Sequence, residues 1–248
     1  MRILKSDTYI NEKLNIKPIT KDRLGGLFVE VNKDLIKKYN LIWNEKTKRF
    51  DCNKSVKAES DLVHNGKLII KFGAIKDNFD CSDLGLTTLE GAPTSVFCFY
   101  CHNNKLTTLE GAPQDVGGSF DCSSNSLVSL KGAPQMIGGD FLCNTNKLIT
   151  LESAPQKVNG EFECKDNQLI TLEGAPQVVT WFYCSKNKLT SLKGAPNEVG
   201  GSFYCSDNEL TTLDGAPDVI YGNFVCEDNP NLVLPKEKPS WIKGRIIR

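Results

Sequence analysis

The chain has no apolar run approaching the roughly 20 residues of a membrane-spanning helix. Its opening stretch, residues 1–14, contains no apolar signal-peptide core. Together these absences predict a cytoplasmic protein that bypasses the general secretory route and keeps its thiols reduced. Histidine is scarce: His64 and His102 are the only two in 248 residues. Neither stands beside a recurring nucleophile or acid, so histidine-assisted nucleophilic catalysis is not expected. Net charge is missing as well, because 30 Lys and Arg offset 30 Asp and Glu.

That balance conceals an uneven distribution. Residues 1–57 hold 14 basic side chains against 7 acidic ones, and residues 232–248 hold 5 against 1. The stretch between them is left with 11 against 22. An acidic body repels nucleic-acid phosphate, so nucleic acid is an unfavoured partner even though the two ends have the sign to touch it.

What the chain has in abundance is repetition. The phrase Leu89-Glu90-Gly91-Ala92-Pro93 returns, with small changes, at Leu109, Leu130, Leu151, Leu172, Leu192 and Leu213. A second phrase, Phe-x-Cys-x-x-Asn-x-Leu, alternates with it, as from Phe120 to Leu127. Cys81, Cys101, Cys122, Cys143, Cys164, Cys184, Cys205 and Cys226 follow one another at intervals of 20, 21, 21, 21, 20, 21 and 21 residues. A fixed period of this size predicts a solenoid whose coils bury their apolar faces by stacking. Only Cys52 and Cys98 fall outside the series, so the cysteines read as a ladder of free thiols at one structural position.

Within a coil, Phe120 and Cys122 are two residues apart and so share one face of a short strand. Stacked strands place phenylalanine on phenylalanine and thiol on thiol. Asn104, Asn125, Asn146, Asn167, Asn187 and Asn208 follow three residues after each Cys, where the chain leaves the strand. An amide that both donates and accepts can satisfy the backbone groups released there. The prolines at 93, 113, 134, 155, 176, 196 and 217 fix φ and favour an extended, helix-poor return.

Over residues 68–234 the pattern resembles the leucine-rich repeat, L-x-x-L-x-L-x-x-N-x-L, with Phe and Cys in place of the strand leucines. The resemblance implies a parallel β-sheet on a concave face and a helix-poor convex side. It also implies a binding scaffold rather than an enzyme, with no cofactor. The short period and proline usage resemble repeats of secreted effectors of bacterial pathogens. The Leu-Glu-Gly-Ala-Pro phrase, and residues 1–12 ending Ile10-Asn11-Glu12, resemble leucine-rich proteins and cleaved leaders of large tailed bacteriophages.

The ends differ from the repeats. Residues 1–57 read as a basic α+β cap, with residues 1–12 a candidate leader, strands near 26–31 and 41–43, and a helix capped by Asn32. Phe50-x-Cys52 looks like a displaced copy of the strand phrase, followed by an irregular insertion at 53–67. Residues 58–234 then form about eight coils, and 235–248 a basic C-terminal cap in which Trp241 covers the last core layer. Asp228-Asn229-Pro230-Asn231 is expected to break the repeat frame by one residue.

Several patterns imitate chemistry. Cys98-x-x-Cys101-His102 matches a haem-attachment string, but Cys101 belongs to the inward ladder and Cys98 should face the other way. No second cysteine pair faces it to complete a zinc site. The Gly-Gly pairs at 117, 138 and 200 precede strands, whereas a phosphate-binding loop follows a strand and opens a helix.

Function is therefore expected on the outward side chains of the strands. Trp181, Tyr183 and Tyr204 fall on neighbouring coils and should form one aromatic patch, with Tyr100 further along the same row. Asp140, Glu161, Glu163 and Asp166 form an acidic field beside them, while Asp121 is expected to be an inert outward position. The partner expected is a protein, of the host if the chain is phage-encoded, where it would bind or inhibit a factor such as a defence protein in the host cytoplasm. A virion-associated structural protein and an effector-like bacterial interaction protein are the alternatives.

Overall fold

Each repeat forms one coil of a parallel β-solenoid in the computed structural model, which describes residues 33–248. The expected leader at 1–12, the strand near 26–31 and the cap at Asn32 lie outside the described residues. The front sheet has ten strands, running from Val56–Lys57 through Phe79–Asp80, Phe99–Tyr100, Phe120–Asp121, Phe141–Leu142, Glu161–Glu163, Trp181–Tyr183, Phe203–Tyr204 and Phe224–Val225 to Ile246–Ile247. Phenylalanine pairs with phenylalanine in strict register from Phe79 to Phe224. Their ring centroids are 5.1 to 6.0 Å apart, and all eight are fully buried, as are the ladder thiols from Cys81 to Cys205.

The asparagines tie successive coils together at the corner where the strand ends. Asn146 Nδ2 donates to the carbonyls of Cys143 and Asn144 in its own coil and of Cys122 in the coil before. Its Oδ1 accepts from the backbone N–H of Leu127, at 2.9 Å. Asn229 repeats this pattern against Cys205, Cys226, Glu227 and Leu210. The ladder thus gains a rung the sequence reading missed, and the extra residue enters only after it. The residue preceding each Asn is left-handed, including the β-branched Thr145 at φ 55°.

The second corner is the Leu-x-Gly-Ala turn, closed by a hydrogen bond from Ala133 N–H to the Leu130 carbonyl at 2.9 Å and its equivalents. Gly132 has φ 92°, and a Cβ there would lie 2.5 Å from the Leu109 carbonyl of the previous coil. Conformation and crowding both require glycine. Ser153 fills the same place in one coil at φ 67° and carries the strain of a side chain in that region.

The return arc contains more order than an extended, helix-poor segment. After each proline a two-residue strand pairs with its neighbours to form a back sheet. Ser95–Val96, Asp115–Val116, Met136–Ile137 and Lys157–Val158 belong to one part of it, and Val178–Val179, Glu198–Val199 and Val219–Ile220 to another. The Val or Ile of each pair is buried, so the arc supplies a β-branched residue to the core and pairs its backbone at once.

Both ends join these sheets. Phe50 does not repeat the Phe-x-Cys phrase: Arg49–Cys52 pairs with Phe72–Ile75 and so extends the back sheet. The front-sheet position is taken instead by Val56, opposite Phe79, with Ala58 buried where the other coils place Cys. The stretch 53–67 is therefore not irregular, since it also holds a 3-10 turn at Ser60–Leu62 and the antiparallel pair Val63–His64 with Lys67–Leu68. A helix at Lys33–Lys38 precedes this, and Lys38 bonds Glu59 and Asp61. At the other end Ile246 pairs with Phe224, and Trp241 packs edge-on against Phe224 at 5.6 Å.

A packing series checks this arrangement by urea unfolding. Phe141→Ala should cost about 3–5 kcal/mol, Asn146→Ala about 1–3 kcal/mol, and Ser153→Gly should gain about 0.5–1 kcal/mol by relieving strain. Ile170→Thr, at a side chain exposed to 62 %, should change little. Equal effects at all four positions would contradict the register.

The thiols supply a second check. Burial, reinforced by neighbouring thiols and, for the first two, by carboxylates, holds the Cys101, Cys143 and Cys184 thiols well above their usual range, so they stay neutral at alkaline pH. Alkylation near pH 9 should spare the ladder in the native protein and label all ten cysteines in denaturant. Rapid native labelling of the ladder would refute its burial.

Candidate functional site

Two coils are one residue short, and both lose it at the corner that leads into the front strand. Most coils read like Val199-Gly200-Gly201-Ser202-Phe203, but Val179-Thr180-Trp181-Phe182 omits a residue, as does Val96-Phe97-Cys98-Phe99. The sheets differ from the regular pattern around Thr180, though not around the equivalent Phe97. The back sheet breaks between Lys157–Val158 and Val178–Val179, while the front strands on either side of the break lengthen to Glu161–Glu163 and Trp181–Tyr183. Glu161 then pairs with Trp181, and Glu163 with Tyr183.

In most coils the residue before Phe leans over the next coil, where glycine makes room, as Ser119 does over Gly139 and Ser202 over Gly222. Trp181 lies against Gly201 in this way, so that any Cβ at 201 would collide with the indole. One side of the ring therefore rests on backbone, and the residue stays 38 % exposed. Tyr183 and Tyr204 stack face to face, with centroids 4.6 Å apart and planes within 7°. The predicted trio is thus contiguous. Tyr100 is not part of it, because Asp121, Leu142 and Glu163 occupy the intervening rungs of its row.

The acidic field is less uniform than its composition implies. Asp140 accepts from the backbone N–H of Glu161 at 2.9 Å and from Ser119 Oγ at 3.3 Å, so much of its capacity is committed to holding the sheet. Glu163 is ion-paired with Lys165, two residues along the same face. Asp166 sits at the exposed corner, bonded to Thr145 Oγ1. Glu161 alone of the four has neither an ion pair nor a side-chain hydrogen bond. Partial burial, with Asp140 and Glu163 as like-charged neighbours, raises its pKa.

Two outward assignments need correction. Cys98 is buried, because the shortened corner drops its Sγ over Gly118, where it accepts from Ser119 N–H at 3.3 Å and is hydrogen-bonded to the Tyr100 side chain. Asp121 is not inert: its carboxylate accepts from Ser123 N–H and Oγ at 2.9 and 2.6 Å and lies 3.2 Å from His102 Nδ1. No group of metal-binding side chains is present among the described residues, and no helix there is long and apolar enough to cross a membrane.

Lys165 and Gly201 were missed by sequence reasoning, although both were accessible to it. Lys165 lies two residues from Glu163, and the intervals of 20 marked the shortened coils that set the indole on Gly201. Compared with known proteins, the chain matches no family model, and no curated protein is significantly similar to it.

The phenols report on this face. Burial first, then Glu161 and Tyr204, pushes the Tyr183 hydroxyl up to about 12, and the bond to Cys98 does the same for Tyr100. The unfolded chain ionises these groups near 10.0, so their contribution to stability is intact below that pH and is lost as pH climbs through about 12. An ultraviolet phenolate titration should show a late phase that shrinks in Tyr183→Phe and again in Tyr100→Phe. Titration of every tyrosine together near pH 10 would contradict the packing.

Proposed function

We propose that the chain is a non-enzymatic protein-binding scaffold of the leucine-rich-repeat kind. Its partner lies across the outward side of the front sheet, centred on Trp181, Tyr183 and Tyr204. The observation that carries this reading is the coincidence of the aromatic trio with the shortened coil. Elsewhere on the row before Phe the side chains are mostly small or polar, such as Ser119, Ser202 and Asn223. Of the two shortened corners, this is the one where the front strands lengthen to three residues and an exposed indole stands beside a stacked tyrosine pair. Such side chains in a desolvated centre dominate many protein interfaces, while surrounding charges set association rate.

The hollows at the C-terminal end, lined by Cys226, Leu232 and Arg248 or by Leu213, Pro239 and Trp241, include none of the aromatic trio. An extended sheet surface suits a macromolecular partner better than a small enclosed one. The phage-like repeat phrase and leader support a host protein as that partner, with the host cytoplasm as the place of encounter. The same resemblance leaves a virion-associated role as the second reading, which mass spectrometry of purified virions separates.

The test uses a partner captured from host lysate by the full chain and then purified. Tyr183→Ala should weaken its binding by about 2 kcal/mol or more, through faster dissociation. The triple alanine variant at 181, 183 and 204 should abolish capture. Val178→Ser, at an exposed position on the back sheet, should not alter it. Retention of the partner by the triple variant would move the interface elsewhere.

A further inference from the structure

We propose that the strand face holds a specific seat for a cationic side chain of the partner, best filled by an arginine that stacks on the Trp181 indole and pairs with Glu161. This deepens the reading above and rests on it. The two residues face each other in register across adjacent strands, close enough for one planar cation to reach both. The indole rests on Gly201 along one side and remains 38 % exposed.

Geometry favours a cation over a flat sugar or a purely apolar plug. The Tyr183 and Tyr204 rings are stacked on each other at 4.6 Å, which covers one face of each, and both are less exposed than the indole. Among the trio, the indole is the most exposed ring, and its π-face attracts positive charge. The neighbouring carboxylates are not equivalent. Lys165 already neutralises Glu163, and the Glu161 N–H and Ser119 Oγ occupy Asp140. Glu161 is left without a counter-charge beside two like-charged neighbours, and partial burial first, then those neighbours, raise its pKa. A cation from outside would relieve that repulsion while it covers the ring. A guanidinium does both at once, because it is planar and presents a fork of donors to a carboxylate, whereas an ammonium is a point charge.

The experiment titrates the isotope-labelled full chain with acetyl-Thr-Arg-Thr-Arg-Thr-amide and reads the indole N–H resonances of Trp43, Trp181 and Trp241, assigned with Trp181→Phe. The Trp181 resonance should move while those of Trp43 and Trp241 stay still. The peptide in which citrulline replaces arginine keeps the shape without the charge, and should bind at least about tenfold more weakly. Glu161→Gln, nearly isosteric with the native side chain, should cause a similar loss, and its unchanged Trp43 and Trp241 resonances would report an intact fold. The lysine peptide should fall between the two. Equal binding of the arginine and citrulline peptides, an unaffected Glu161→Gln variant, or a Trp181 resonance that does not move would each overturn the proposal. If the captured partner still depends on the aromatic trio in that event, the scaffold reading stands and only the arginine seat falls.

Discussion

Direct stacking of each coil on the next is the constraint from which the rest of this structure follows. Parallel strands in register hold equivalent residues about 4.8 Å apart, so any side chain at a given position must tolerate a copy of itself on both sides. Inside, this selects Phe, Cys, Leu, Ala and Val, which gain by packing on their own kind. At the corner it selects Asn, because its amide can donate to carbonyls in two coils and accept from the earlier one. A carboxylate in that place would have no donor for those carbonyls. An alanine would leave buried backbone groups without partners.

The same constraint organises the surface. In a perfectly repeated coil the outward rows would be as monotonous as the core, and no place on the sheet would differ from another. Difference enters where the repeat is imperfect. One residue lost before Phe182 removes part of a glycine corner, and the bulky Trp181 then settles over the intact corner of the following coil. The equivalent loss before Phe99 has the opposite outcome, because the side chain there is Cys98, which sinks under Tyr100 and disappears from the surface. An identical backbone event thus yields a platform or a buried thiol, according to the residue that meets it.

Much of the front sheet was legible because the sequence repeats it. The Phe and Cys positions, the inward Asn and the covering role of Trp241 all follow from period and chemistry. The back sheet was hidden because its strands are only two residues long, too short for alternation to show, and because the prolines point to an extended return without saying whether it pairs. Phe50-x-Cys52 misled for a related reason. A Phe and a Cys two apart suit any strand with one buried face, and only pairing partners decide to which sheet such a strand belongs. Asp121 was misread as inert, and the commitment of Asp140 was not foreseen, because a bond to Ser123 within one coil and bonds to Glu161 N–H and Ser119 Oγ across coils leave no mark in composition.

Stacking also makes charge on this molecule a problem of rows. Like carboxylates on successive coils repel across a strand spacing, and at the Leu-x-Gly turn two lysines interrupt the acidic row: Glu110 faces Lys131, and Glu173 faces Lys193. These pairs are exposed and contribute little stability individually, but they prevent an unbroken acidic row. On the front sheet the compensation is incomplete. Lys165 answers Glu163, and backbone donors answer Asp140, yet Glu161 is left beside the indole with no answering charge. This position thus joins a carboxylate with no ion pair to an exposed indole, in register across adjacent strands. The adjacency of those two features, rather than either alone, gives this part of the sheet a chemical identity that the repeat itself lacks.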